Sequence, residues 1–249
     1  IGARAFANCA QLEALTLPDS LTTIGEGALD GLTGLKKLVI QCDLAIIPAG
    51  VFANLPALNE VTIEAGAIPA HMFEGSGVTA LTLGADVTEI GESAFANTAL
   101  NTADLTNVTV VGTGAFANTA LTSIELPQVA VIGEGAFEGS ALESVRLSAS
   151  ASVSERAFAN TKLKQLVIPT TGNFPLSAVD GTSAELRLPA DATDDQLAAW
   201  NETLSRPWYD PMLREGEASK FVKMPFEPTT AENFEFDPDT GLISAYIGS

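Results

Sequence analysis

Residues 131–147 read VIGEGAFEGSALESVRL, and the same sentence stands upstream as VVGTGAFANTALTSIEL (110–126) and EIGESAFANTALNTADL (89–105). Aligned on the aromatic of "GAF", the copies give Phe6, Leu29, Phe52, Phe73, Phe95, Phe116, Phe137, Phe158 and, more loosely, Val179. The spacings are 23, 23, 21, 22, 21, 21, 21 and 21 residues. Five residues before each lies another apolar residue, from Ile1, Ile24 and Ile47 to Ile132, Val153 and Phe174. After each comes an apolar triplet such as Leu121, Ile124 and Leu126.

A period this constant, between about 20 and 29 residues, is the signature of a solenoid of the leucine-rich-repeat type. The last two apolar residues of each triplet alternate at period two, so a short strand points them inward and its neighbours outward. One such strand cannot bury its inner face alone. Stacked at about 4.8 Å, nine coils would pair strand on strand into a parallel sheet roughly 40 Å long. The expected fold is therefore an α/β-type right-handed solenoid of about nine coils with a parallel sheet on one face. Each "GAF" phenylalanine should fill the same core slot opposite that sheet, at about 1.5–3 kcal/mol per ring buried. Asn or Gly two residues after it (Asn8, Gly31, Asn54, Gly75, Asn97, Asn118, Gly139, Asn160, Gly181) suits a turn that needs positive φ.

The unit IGEGAFEGSALESVRLS and its neighbours resemble the BspA-like (Treponema pallidum-type) leucine-rich repeats of bacterial surface proteins, over residues 1 to about 189. The resemblance implies an extracellular, cell-surface protein engaged in adhesion or in binding host protein, with export signal and anchor outside this stretch. It brings no catalytic residues.

Composition agrees with a folded, acidic chain. Of 249 residues 46% are hydrophobic and 17% charged, with 12 basic against 31 acidic residues, a net charge of −19. That surface repels phosphate backbones and anionic lipid, which argues against nucleic acid and direct membrane binding. No apolar run approaches the roughly 20 residues that span a bilayer. Cys9 and Cys42 fall near opposite strand ends of their coils, too far apart for a disulfide, and read as free thiols.

After Pro189 the period stops, dividing the chain into a solenoid (1–189) and a capping or linker region (190–249). There DATDDQLAAWNETL sets Leu197, Trp200 and Leu204 on one helical stripe, with Thr193 and Gln196 as a capping box, predicting a helix over about 193–205. NFEFDPDTGLISAYIG predicts a hairpin over about 233–247. Together they should cap the open end of the stack.

Chemistry-bearing constellations are few, and no catalytic, metal or cofactor site is expected. The single histidine, His71, lies on the convex side with no nucleophile framing it. Asp237, Asp239 and Gly241 begin like a calcium loop, but its twelfth position is Gly248 rather than Glu. Glu134 and Glu155 recur in adjacent coils and read as a solvated acidic column. Solenoids bind through the concave sheet face. The outward residues expected there include Thr82, Thr102, Asp104, Ser123, Glu125, Ser144 and Arg146, all small or polar. The tail carries Trp208 and Tyr209, amphipathic aromatics suited to a partner or a sugar as well as to a small core. Sequence therefore points to a non-enzymatic, monomeric module that binds a protein or glycan, with a structural spacer as the alternative.

Overall fold

The computed structural model describes residues 1–170 and 173–203 and, in the tail, 213, 214, 216, 234–237 and 242–245. The chain divides into two units, Ile1–Pro189 and Ala190–Ser249. The first is a parallel β-solenoid. Its main ladder is built from the triplet segments, β1 (Ala14–Leu17), β2 (Lys37–Ile40), β3 (Glu60–Ala65) and β4 (Ala80–Asp86) pairing in that order. A second block continues with β7 (Ser123–Leu126), β9 (Ser144–Leu147), β11 (Gln165–Val167) and β12 (Glu185–Leu188). Pairing is in register with the repeat: Leu38 stands beside Val61 and Ile40 beside Ile63, all buried.

The sheet departs from the nine-strand expectation at coil five. Residues 100–105 form no strand there; only one bridge, Ala80 to Thr102, reaches the first block. Two residue choices explain the gap. Ala103 stands where other coils place Ile, Val or Leu, so little apolar area favours the pleat. Asp104, poor in strands, instead accepts hydrogen bonds from the Thr106 N–H (3.0 Å) and hydroxyl (2.5 Å), closing a local turn.

What coil five loses on that face it keeps elsewhere. The "I-G" segments, expected only as core positions, form a second short ladder: β5 (Glu89–Ile90), β6 (Val110–Val111), β8 (Val131–Ile132) and β10 (Ser152–Val153). The phenylalanines make a continuous stack. Phe52, Phe73, Phe95, Phe116, Phe137 and Phe158 are wholly buried, with centroids 5.2–5.9 Å apart and rings within 12° of parallel. Three residues after the ring, Ser76, Thr98, Thr119 and Thr161 turn their buried hydroxyls back to donate to the carbonyl of the phenylalanine at 2.6–2.9 Å. That satisfies a polar group inside an apolar stack.

Every residue two positions after the ring is left-handed, as its Asn/Gly alternation implied. So is every residue two positions before it, from Arg4 through Gly27, Gly50, His71, Ser93, Gly114 and Gly135 to Arg156. A left-handed L-residue costs about 1–2 kcal/mol, against a smaller entropic penalty for glycine of about 0.5–1 kcal/mol. Ser93→Gly, at φ 51°, is therefore expected to stabilise the solenoid by about 0.5–1 kcal/mol. Urea denaturation reads it, and a lower midpoint would count against this account of the turn.

In the second unit, α1 (Asp194–Thr203) starts with the expected reciprocal cap. The Thr193 N–H donates to Gln196 Oε1 at 2.8 Å, and the Gln196 N–H to Thr193 Oγ1 at 3.2 Å. Leu197 and Trp200 are half-buried, whereas Leu204 lies outside the described residues. β13 (Phe234–Asp237) and β14 (Leu242–Ala245) pair antiparallel, Phe234 opposite Ala245 and Asp237 opposite Leu242. The turn that would join them, with Asp239 and Gly241, is outside the described residues.

Candidate functional site

The outer face of the main ladder carries the candidate residues in two columns, because alternate strand residues face the same way. In the second block Ser123 registers with Ser144, and Glu125 with Arg146; Gln165 beside Glu185 and Val167 beside Arg146 extend the columns. Ser123, Glu125, Ser144 and Arg146 are all exposed and form one contiguous patch. Glu125 and Arg146 face each other across adjacent strands, yet neither enters an ion pair among the described residues. Both charges are left available to a ligand.

Other candidates separate from that patch. Thr82 is exposed in β4, at the far side of coil five, in register with Thr62. Thr102 is exposed but stands on the single bridge rather than on a strand, and Asp104 is engaged by Thr106. The two belong to a turn between two blocks, not to a continuous sheet. Arg187, which period-two alternation sets on the outward side with Glu185, is buried instead, its guanidinium 2.7 Å from the Glu185 carboxylate. Outer residues of the first block are tied to each other by exposed ion pairs, Lys36 with Glu13 (2.7 Å) and Lys37 with Glu60 (3.2 Å). Trp208 and Tyr209 lie outside the described residues, as does Tyr246.

Asp104 has a predictable acid response. Hydrogen bonds from the Thr106 hydroxyl and N–H favour its charged form, holding its carboxyl below the usual value. A depressed carboxyl contributes stability that is present above the unfolded value, about 3.9, and fades as pH falls through the folded one. In Thr106→Ala the Asp104 carboxyl resonance should titrate at a higher pH than in the parent protein, by carbon-13 NMR. An unmoved midpoint would mean that the turn does not hold the charge.

On the turn side opposite the ladder, Glu134 and Glu155 of the expected acidic column are both exposed. A shallow recess of about 380 Å³ lies there over Gly114 and Gly135, with Thr113, Asn118, Glu134 and Glu138 at its rim. Glu138 is held by a two-point ion pair from Arg156 of the next coil. This contact, with Glu134 and Asp180 nearby, raises the Arg156 pKa further above its already high value. His71 is exposed and bonds Glu74 at 2.8 Å. Cys9 is exposed and Cys42 buried, both free, and burial pushes the Cys42 thiol up. Among the described residues no group of three or more His, Cys, Asp or Glu side chains could hold a metal ion. No described helix is long and apolar enough to cross a membrane.

The pattern of repeat, strand and turn matches a family model described as a BspA type leucine rich repeat region, in six copies over residues 1–100 and 66–179. The chain belongs to the BspA-type leucine-rich-repeat family. Its structure is also similar to the 1.80 Å crystal structure of a leucine rich cell surface protein from Faecalibacterium prausnitzii A2-165. The two are 18% identical, over 80% of this chain and 84% of that one, with a TM-score of 0.32. No curated protein matches the chain.

Proposed function

We propose that this BspA-type chain is a non-enzymatic interaction module at a bacterial cell surface, binding a protein or glycan through the outer face of its main ladder. The observation that carries the reading is the patch Ser123, Glu125, Ser144 and Arg146. Four exposed polar side chains stand there in register on rigid strands, with an acid and a base both unpaired. Rigid elements present polar groups without the ordering cost that a loop would incur. The surface placement rests on family membership.

The patch has no aromatic anchor, and Val131 is the one large hydrophobic residue standing exposed among those described. Single contacts should accordingly be weak, with many copies on one surface adding avidity. The same observation favours the second reading, a spacer that holds other domains away from the cell. A panel of glycans and matrix proteins separates them. For a ligand found there, Glu125→Lys and Arg146→Glu should each weaken binding at least tenfold, while Trp208→Ala tests the tail. Full binding by both ladder variants would remove the patch from the account.

A further inference from the structure

We propose that coil five is a hinge, about which the two four-strand blocks of the main ladder open and close on the outer face. Three faces normally tie a coil to its neighbours: the main ladder, the "I-G" ladder and the phenylalanine stack. Coil five keeps the last two of them on both sides. Phe73 to Phe95 and Phe95 to Phe116 are 5.2 and 5.5 Å, matching the rest of the stack. Ile90 bridges Ile68 on one side and pairs Val111 on the other. On the third face, β7 pairs with β9 only. By the alternation of a parallel strand, Ser123 and Glu125 turn their N–H groups toward coil five, and no backbone hydrogen bond joins them to residues 100–105.

Beneath this face coil five keeps Leu100 and Leu105 buried, but between them it sets the small, half-buried Ala103 where the neighbouring coils carry Leu81 and Ile124. A coil fixed along two adjacent faces and released along the third has an axis and a free edge. A small side chain in the apolar row and backbone without a ladder partner mark a low-stability part of a fold. Thr82, Thr102, Ser123 and Glu125 flank the free edge, so opening would alter the spacing of the outer columns on either side of it. The hinge follows from the ladder alone and stands whether or not that face binds a ligand.

Paired spin labels in a Cys9→Ser, Cys42→Ala background test it. Labels at Thr82 and Arg146 span three coils across coil five; labels at Thr16 and Thr82 span three coils within the first block. Both pairs lie about 14 Å apart at about 4.8 Å per coil. The distance distribution across coil five should be at least twice as broad as that within the block. Ala103→Ile with Asp104→Thr, which rewrites the segment to the strand pattern of its neighbours, should narrow it to the within-block width. Asp104→Thr alone, a milder change, should narrow it in part. Equal widths in the parent protein, or an unchanged width in a folded variant, would overturn the hinge.

Discussion

Phe116→Asp is expected to abolish cooperative unfolding of the solenoid, leaving a chain without a thermal transition by circular dichroism. Phe116 is wholly buried between Phe95 and Phe137, at 5.5 and 5.4 Å. Removing a buried ring costs about 3–5 kcal/mol. A carboxylate in its place adds an unpaired buried charge, several kcal/mol more even after local relaxation. The sum rivals the about 5–15 kcal/mol that separates most folded domains from their unfolded chains. The loss would spread, because a coil in a stack contacts only its neighbours and both use Phe116 as their floor or ceiling. Phe116→Leu supplies the contrast. Coil two seats Leu29 in that slot at 1% exposure, so the leucine variant should fold and lose only about 1 kcal/mol. A soluble, cooperative Phe116→Asp protein would contradict the stacked core.

Gly133→Val is expected to be the next most damaging single change, through backbone rather than side-chain packing. A Cβ at this position would lie 2.5 Å from the Thr113 nitrogen and 2.7 Å from the Gly112 carbonyl carbon of the coil before. Those atoms belong to main chain held by the second ladder, where Val111 pairs with Ile132. Relief requires that coils six and seven move apart, which also loosens the ring stack beside them. Overpacking of this kind costs about 1–3 kcal/mol, and the upper end applies because a branched side chain meets backbone. In a domain of this size 2–3 kcal/mol lowers the melting temperature by about 4–12 °C. Gly133→Ser should cost less, since coil eight carries Ser154 in the same place. An unshifted midpoint for the valine variant would show that the coils are not in contact there.

Much of this fold is written openly in the sequence. The ring column, the apolar triplets and the Asn/Gly turn are fixed by spacing, because a repeated environment imposes the same residue at every copy. The second left-handed column was less legible. Glycine marks it at Gly27, Gly50, Gly114 and Gly135, but Arg4, His71, Ser93 and Arg156 occupy it elsewhere and obscure the pattern. The second ladder was hidden for another reason: a two-residue strand is too short to show alternation. At coil five, Ala103 and Asp104 were visible departures from the triplet. Reading them as a break required weighing a local Asp–Thr turn against a strand bonded on both sides. Arg187 shows the limit of alternation at the last coil of the stack, where an outward position is buried. The candidate patch was legible as positions, since outward residues follow from period two. Its unpaired charges were not, because whether Glu125 and Arg146 meet depends on rotamers that no spacing encodes.

The function turns on whether this surface recognises anything. The most direct measurement passes the purified chain over a glycan array and a set of extracellular-matrix proteins, with the Glu125→Lys, Arg146→Glu double variant alongside. The interaction-module account predicts a specific, saturable signal from the parent chain that falls at least tenfold in the double variant. Silence across both panels would contradict it, and would leave the BspA-type solenoid as a spacer.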